Sequence, residues 1–376
     1  MSQTNAASGP GIDTKTNDAE TNLVVRVVRG PAAELSAADF EVTEEDIPRP
    51  GDGEVLYRAI YMSLDAGMRS GMPLLDGRPG RPGGIAVGDP MFAGKLPPQN
   101  GWTGGLVGRV LESRHPAFVR GDFVHGGMYW QTHHVMAGEF LAKVDPAETS
   151  LVSTVGVLGQ SSFTAWCGVT LVAKPKPGDV VVVSGAGGAV GMVAAQISRL
   201  RGATVIGIAS GEKVRYLTDE LGVDHCVDRL ATPDIGSAID ELAPNGVDVY
   251  FDNVGGPIRD AMLPRLRKFG RLVVCGAASE YGAERAPATI DYTNILAKSL
   301  TIGGFVVYDH YDLHDQFWRE MSEWIGAGDL RYRYQVIDGL ENAAQGLVDL
   351  LAGCNEGKPI VQVSLDPTTV PPAESA

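Results

Sequence analysis

Between Val180 and Ile197 the chain reads VVVVSGAGGAVGMVAAQI, an order of residues that few folds accept. The β-branched run has no polar alternation, which suits a strand buried on both faces of a parallel sheet. After the glycines, Val190, Val193, Ala194, Ile197 and Leu200 recur on one helical face. A strand, a glycine turn and a helix in direct succession therefore predict a βα unit with a ligand over its turn. Gly185, Gly187, Gly188 and Gly191 let the backbone come close to a pyrophosphate. The helix opening at Ala189 and Val190 turns its N–H groups and positive dipole end toward that charge. The expected ligand is a dinucleotide.

The unit repeats. Strand candidates DVVVVS, ATVIGIAS, VDHCVD, VDVYFD, RLVVCG and LTIGGFVV are separated by helical stretches, among them EKVRYLTDELG, stopped by Gly222, and a stretch near Ile258 to Arg267. Such alternation predicts an α/β fold with a doubly wound parallel sheet. Ahead of it, from Leu23 to about Leu141, the apolar runs are short and broken by Gly, Pro and Asp, the texture of a β-rich, barrel-like domain. After Tyr308, two amphipathic helices, roughly Asp312 to Gly326 and Glu341 to Ala352, and a strand from Pro359 to Ser364 form an end too short to stand alone. That end is expected to return and complete the first domain.

These readings divide the chain into a tail at 1–22, a first domain at 23–148 and 309–366, a dinucleotide-binding domain at 149–308 and a tail at 367–376. Pro73 to Gly101 is dense in Gly and Pro and reads as a loop. Loops of that length often form lids or binding rims. Its neighbourhood offers Ile85, Met91, Phe92 and Trp102 to cover an apolar ligand.

With 46 Asp and Glu against 31 Lys and Arg, the net charge of −15 repels a phosphate backbone or an anionic membrane, and no basic run offsets it locally. Nucleic-acid and membrane partners are therefore not expected, and the partner is a small-molecule substrate. The polar N-terminal stretch lacks a signal-peptide core, and no later run is long and apolar enough to span a bilayer, so a cytoplasmic protein is expected. Cys167, Cys226, Cys275 and Cys354 are too far apart for a CxxC pair and read as reduced thiols.

The end of the second strand distinguishes the cofactors. An NAD site commonly has an acid there for the ribose 2′-hydroxyl, whereas this strand ends at Ala209 and Ser210. Lys213 and Arg215 follow at once, and Arg229 follows the third strand, concentrating positive charge where a 2′-phosphate would sit. NADP is favoured, with Glu212 as the competing feature and a solvated helix face as the bland alternative for Lys213 and Arg215.

Several motifs in fixed order extend this reading: YMSLDAGMR (Tyr61 to Arg69), KPKPGDVVVVSGAGGAVG (Lys174 to Gly191), DVYFDNVGG (Asp248 to Gly256), CGAASEY (Cys275 to Tyr281), GGFVVYD (Gly303 to Asp309) and NEGKPIVQV (Asn355 to Val363). From about Val25 to Val363 the chain resembles the zinc-independent medium-chain dehydrogenase/reductases. Within that family it resembles the branch of prostaglandin reductases, alkenal double-bond reductases and curcumin reductase-like proteins. The resemblance implies a GroES-like barrel built from both chain ends, a Rossmann domain between them, a cleft holding NADPH and a homodimer. It also implies reduction of a carbon–carbon double bond conjugated to a carbonyl. Carried over residue by residue, Gly188 and Gly191 match the pyrophosphate turn and Lys213 the 2′-phosphate lysine. Asn253, Phe305, Val307 and Asn355 match cofactor contacts, with Ser210, Arg229 and Cys275 beside them. Tyr281 matches a tyrosine at the active-site mouth. The chain departs from the pattern at Gly67, where the family commonly has a tyrosine, at Arg229, which stands in place of another, and in its longer Pro73 to Gly101 loop.

Zinc-dependent relatives hold their metal with Cys, His and Glu, and the corresponding stretches SLDAGMRSG and TGGLVGRV lack such residues. Neither do His115, His125, His133, His134, His225, His310 and His314 form a convincing ligand set, and no metal is expected. The remaining route is hydride transfer to the β-carbon of an enone or enal, leaving an enolate that needs a hydrogen-bond donor. A tyrosine suits that role and could return the α-proton. Tyr281 is the first choice and Tyr61 the second, followed by Tyr308 and Tyr292. A quinone reductase or secondary-alcohol dehydrogenase on the same scaffold, and a non-catalytic NADP(H)-binding protein, stay open as alternatives.

Overall fold

The computed structural model describes residues 21–30, 34–73, 86–91, 105–127, 129–281 and 289–369. In chain order the strands are β1 (Asn22–Val27), β2 (Phe40–Glu45), β3 (Glu54–Ser63), β4 (Leu106–Ser113), β5 (Phe123–His125), β6 (His133–Ala137) and β7 (Ala142–Val144). The alternating half of the chain supplies β8 (Val180–Ser184), β9 (Thr204–Ala209), β10 (His225–Asp228), β11 (Val247–Asp252), β12 (Leu266–Val274) and β13 (Thr301–Gly304). The last two are β14 (Tyr334–Asp338) and β15 (Lys358–Gln362).

Strands β8 to β13 form one parallel sheet in the order β10-β9-β8-β11-β12-β13. Alternate residues of β8 enter opposite cores, as strand periodicity requires. Val181 and Val183 join Val193, Ile197, Phe251 and Phe163 on one face, while Val182 joins Ile206, Tyr250, Ile239 and Met262 on the other. Each such side chain contributes about 1.5–3 kcal/mol by leaving water. On the helix Ala189–Leu200, Val193, Ala194 and Ile197 are fully buried, whereas Leu200 at its end is exposed.

The second sheet is mixed and follows the order β14-β15-β3-β4-β5-β7, with β6 also on β3. Strand β15 pairs with β3 antiparallel, so the chain's last strands lie in one sheet with β3 and β4. The strand β14, parallel to β15, was not read from the sequence. It carries no clean alternation, and only its partner makes it a strand.

Two assignments differ from the sequence reading. The helix His314–Ala327, expected with the first domain, packs Phe317 and Met321 into the core of the parallel sheet. Its apolar stripe finds Phe163 and Trp166 there, with ring centroids 5.0 and 6.3 Å from Phe317. Conversely, Leu151 and Val155 pack with Ile60, Val107 and Ile360 of the mixed sheet. Asn22, expected in the tail, opens β1, and its Oδ1 accepts the His133 N–H at 2.9 Å. Of the apolar loop residues, Ile85, Phe92 and Trp102 lie outside the described residues, and Met91 is buried against Met68, Met72 and Trp130 rather than facing a ligand. Among the described residues no helix is long and apolar enough to cross a membrane.

Among the buried imidazoles of this framework are His125, His134 and His314. Burial holds all three far below the ordinary value, His125 at about 3 with His314 adding to the effect, and His134 and His314 at about 4. In the unfolded chain each titrates near 6.5. Between about pH 6.5 and about pH 4 the unfolded state therefore binds more protons, and stability falls with pH. Each imidazole removes about 1.4 kcal/mol per pH unit in that window. Urea unfolding at pH 7 and pH 5 is expected to show a steep loss at the lower pH; equal midpoints would contradict the burial of these rings.

Candidate active site

In an open parallel sheet, ligands bind beyond the carboxyl ends of the strands, where the strand order reverses. Here that point lies between β8 and β11, neighbours in space though not in sequence. The glycine turn leaves β8 and the DNVGG turn leaves β11, so both open at one place.

In the first turn Gly185 has φ +59°, a left-handed conformation suited to glycine, and its carbonyl accepts the N–H of Gly188 at 2.9 Å. Gly188 caps the helix Ala189–Leu200 with no side-chain hydrogen bond, and the first N–H groups of a helix have no partner within it. A side chain at Gly191 would meet the Gly185 carbonyl oxygen at 2.2 Å, so the turn and the helix touch backbone to backbone.

The two turns are tied together by a buried carboxylate. Asp252 Oδ1 accepts from Ser184 Oγ at 2.9 Å, from Tyr250 Oη at 2.8 Å and from the N–H groups of Val254 and Gly255, both at 2.9 Å. Asn253 Nδ2 donates to the Ser184 carbonyl at 2.8 Å. A third segment, Cys275 to Tyr281, hangs from the second. The N–H groups of Ala278 and Ser279 donate to the carbonyls of Asn253 and Val254, and Glu280 accepts from the Gly256 N–H at 3.0 Å and from Arg259 at 2.8 Å. Tyr281 follows directly, and its hydroxyl accepts the Ala277 N–H at 3.2 Å.

Beyond β9, Lys213 Nζ donates to the Gly353 carbonyl at 2.8 Å and to Asn355 Oδ1 at 3.2 Å. Burial, and after it the charge of Arg229, pulls this ammonium below its ordinary value. Two cations share a partly dry corner, an arrangement that an anion such as a 2′-phosphate would relieve. Glu212, the competing acid, points away and pairs with Arg215, their side chains being 86% and 77% exposed. Arg215 is thereby also outside the site.

All these segments line one cavity of about 790 Å³ between the two sheets. It is lined by Gly185, Gly187, Gly188, Ala189, Val190 and Gly191 at the turn, and by Ser210, Lys213, Arg229 and Asn355 at one end. Asn253, Cys275, Phe305, Val307 and Tyr281 line the remainder. Burial pushes the Cys275 thiol well up, so it presents a neutral surface. The glycine cradle, the helix N-terminus and the Lys213–Arg229 corner fit a dinucleotide carrying a 2′-phosphate.

Tyr61 is not brought to this cavity. It is buried with Ile60, Val107 and Ile360, and burial and the charge of Asp366 raise its phenol, which hydrogen-bonds Asp366. Tyr292 is exposed on the helix Tyr292–Lys298, away from the lining residues. His134 stacks on Tyr57, with ring centroids 5.1 Å apart, and donates to the Gln131 carbonyl at 3.0 Å, a structural role. Among the described residues no three His, Cys, Asp or Glu side chains gather as a metal site.

The lining or adjoining residues not proposed from the sequence include four linked polar ones. Asp65 and Ser161 line the cavity, and behind them Lys358 is fully buried, its ammonium donating to the Leu64 carbonyl at 2.8 Å, to Ser161 Oγ at 3.1 Å and to Asp65. Gln160 lines the wall beside Tyr308 and donates to the phenol oxygen. The one signal for Lys358 was its place at the head of an apolar strand, KPIV, where a lysine enters the core with the strand.

Comparison with known proteins agrees with this architecture. A family model described as Zinc-binding dehydrogenase matches residues 189–325, and one described as N-terminal domain of oxidoreductase matches residues 24–144. The NADPH-dependent curcumin reductase of Escherichia coli (strain K12) is 37% identical over 336 residues, 87% of this chain and 93% of the relative. The 2-alkenal reductase (NADP(+)-dependent) of Nicotiana tabacum is 34% identical, over 84% of this chain and 88% of the relative. The crystal structure of CurA in complex with NADPH from Vibrio vulnificus aligns with a TM-score of 0.82 at 32% identity, covering 92% of this chain and all of that one. Two turns at the switch point, one cavity between two sheets and these relatives along nearly the whole length lead to one conclusion: the chain belongs to the medium-chain dehydrogenase/reductase family, in its zinc-independent branch.

Proposed function

We propose that this enzyme uses NADPH to reduce the carbon–carbon double bond of α,β-unsaturated aldehydes and ketones. The observation that carries the proposal is one continuous cavity, which joins a cradle for a phosphorylated dinucleotide to a wall with the phenols Tyr281 and Tyr308. Bound there, NADPH supplies a hydride for the β-carbon of the conjugated carbonyl. The chain's own part is to hold and orient. The Asp252 hub keeps the glycine and DNVGG turns in register. Glu280 anchors the segment that carries Tyr281, and Phe305, Val307 and Cys275 shape the apolar wall. Enolate charge that develops on the substrate oxygen needs a donor, and a cavity phenol meets that need.

The test is NADPH oxidation by the purified protein against enals, enones and quinones, with NADH in parallel and the products identified. Saturated carbonyls support the proposal. Alcohols or hydroquinones would assign the enzyme to another reaction on the same fold, and tight NADPH binding with no turnover would assign it a non-catalytic role.

Lys213 carries a separate expectation. Lys213→Ala removes a charge-assisted contact of about 1.5–3 kcal/mol, so the Kd for NADPH is expected to rise about 10- to 100-fold. The Kd for NADH should stay within a factor of about two. Fluorescence titration of both cofactors checks this; an equal loss for both would place the 2′-phosphate elsewhere.

The same reading includes a cytoplasmic homodimer. The edge of the parallel sheet supports it, because β13 pairs on one side only among the described strands and the adjoining helix exposes Tyr292 and Leu296. Light scattering would decide, a monomeric mass overturning the dimer.

A further inference from the structure

We infer that Tyr308, held by Gln160, is the acid that protonates the substrate, an inference that rests on the enone-reductase reading above. The sequence alone favoured Tyr281, and the geometry separates the two. The Tyr281 hydroxyl accepts the Ala277 N–H at 3.2 Å within its own segment, and a side chain at Gly276 would lie 3.2 Å from that oxygen. The ring is folded back on the loop that bears it, and its geometry serves to shape that loop beside Cys275.

Tyr308 has the opposite disposition. It leaves the wall that begins at Phe305 and reaches across to the helix Gln160–Cys167, where the Gln160 side-chain amide donates to its phenol oxygen. Both residues line the cavity, together with Thr164, whose hydroxyl is committed to the Gln160 carbonyl at 2.9 Å. Gln160 is the first residue of its helix, whose backbone fixes where the amide starts. A donor aimed at a phenol oxygen gains strength when that oxygen becomes negative. The pair therefore stabilises the phenolate more than the phenol, which is the requirement for an acid that must release its proton during the reaction.

The step balances as follows. Hydride addition at the β-carbon leaves an enolate. The Tyr308 O–H bond breaks as its proton forms the new C–H bond at the α-carbon, giving the saturated carbonyl. The phenolate left behind is held by the Gln160 amide and takes a proton from water before the next turnover. The two electrons come from the hydride donor, and no further reductant is needed.

The experiment compares Tyr308→Phe, Gln160→Met and Tyr281→Phe with the unaltered enzyme in the same enone assay. Removal of a general acid costs about 10²- to 10⁴-fold, so Tyr308→Phe is expected to lower kcat at least about 100-fold. Gln160→Met should lower it about 10-fold by removing one donor to the phenolate, and Tyr281→Phe should change it by less. The melting temperature and the Kd for NADPH, read by fluorescence, should stay unchanged in Tyr308→Phe. A second readout needs no turnover: p-nitrophenolate mimics an enolate oxygen, and its visible absorption on titration into the NADPH-bound protein reports binding. Weaker binding of this probe to Tyr308→Phe but not to Tyr281→Phe is expected. The inference is overturned if Tyr308→Phe keeps kcat within about threefold of the unaltered enzyme, or if Tyr281→Phe alone loses the acid function. An unaltered enzyme that reduces no enone would instead overturn the reading of the reaction, and the p-nitrophenolate comparison would then decide the role of Tyr308 by itself.

Discussion

Gly191→Val is expected to raise the Kd for NADPH at least 100-fold, the larger of two effects that follow from the packing around the cavity. A Cβ at this position would sit 2.2 Å from the Gly185 carbonyl oxygen and 2.7 Å from the Ala186 Cα. Both atoms are backbone, so no rotamer change can make room, and the turn must move off the helix. Overpacking of this kind costs about 1–3 kcal/mol of stability. Displacing the N–H groups that face the pyrophosphate is expected to cost at least a further 2.7 kcal/mol in binding, the equivalent of 100-fold. Neighbouring glycines provide the controls. A Cβ at Gly188 would meet the Gly185 carbonyl oxygen at 3.3 Å, a small adjustment, and Gly188→Ala should cost little stability. At Gly187 the clash is with the Lys213 side chain, 2.8 Å from its Cβ, so Gly187→Ala should weaken NADPH more than NADH by moving that lysine. Equal stability of Gly191→Val and Gly188→Ala would refute the close approach of turn and helix.

The second large effect is on stability. Lys358→Met is expected to cost about 3 kcal/mol of unfolding free energy, measured by urea unfolding at neutral pH. Buried pairs broken from one side lose about 3–5 kcal/mol, because the remaining charge is left without compensation. The lower figure applies here because the Asp65 side chain is 32% exposed, toward the cavity, and water can reach it. All three N–H groups of the ammonium are used, on the Leu64 carbonyl, Ser161 and Asp65. Burial alone would raise the Asp65 pKa, but the Lys358 charge and the hydrogen bonds from Lys358, Ser161 and Ser63 outweigh it and hold the carboxyl below its usual range. The double variant Asp65→Asn/Lys358→Met removes both charges and should recover most of the loss. An additive double variant would show that the two residues are not coupled.

The parts of the site legible in the sequence share a local cause. The glycine turn, the DNVGG turn and Lys213 each lie within a few residues of a strand end, and each strand could be recognised from its own apolar run. Strand order in a doubly wound sheet then brings the ends together. The same local logic misplaced Tyr61. Its motif lies near the cavity, since Asp65 lines it, but the hydroxyl is turned to Asp366, some three hundred positions away, which the sequence offered no means of pairing with it. The helix His314–Ala327 failed for a related reason. Its apolar stripe was visible, but the face it would cover was decided by Phe163 and Trp166, distant in sequence.

From its residues alone the chain determined a dinucleotide turn, a parallel sheet and a preference for a phosphorylated cofactor, because spacing of 2 and 3.6 and the placement of glycines are properties of short segments. Only the tertiary structure decided that Glu212 turns outward to Arg215 while Lys213 turns inward to Gly353 and Asn355. It alone decided that Lys358 is buried beneath Asp65, and that Tyr308 rather than Tyr61 shares the cavity with Gln160. The physical reason is the same in each case. Whether a polar side chain becomes a surface charge, a buried tie or a donor in a cavity depends on the partner it meets, and those partners arrive from elsewhere in the chain only when the sheets have formed.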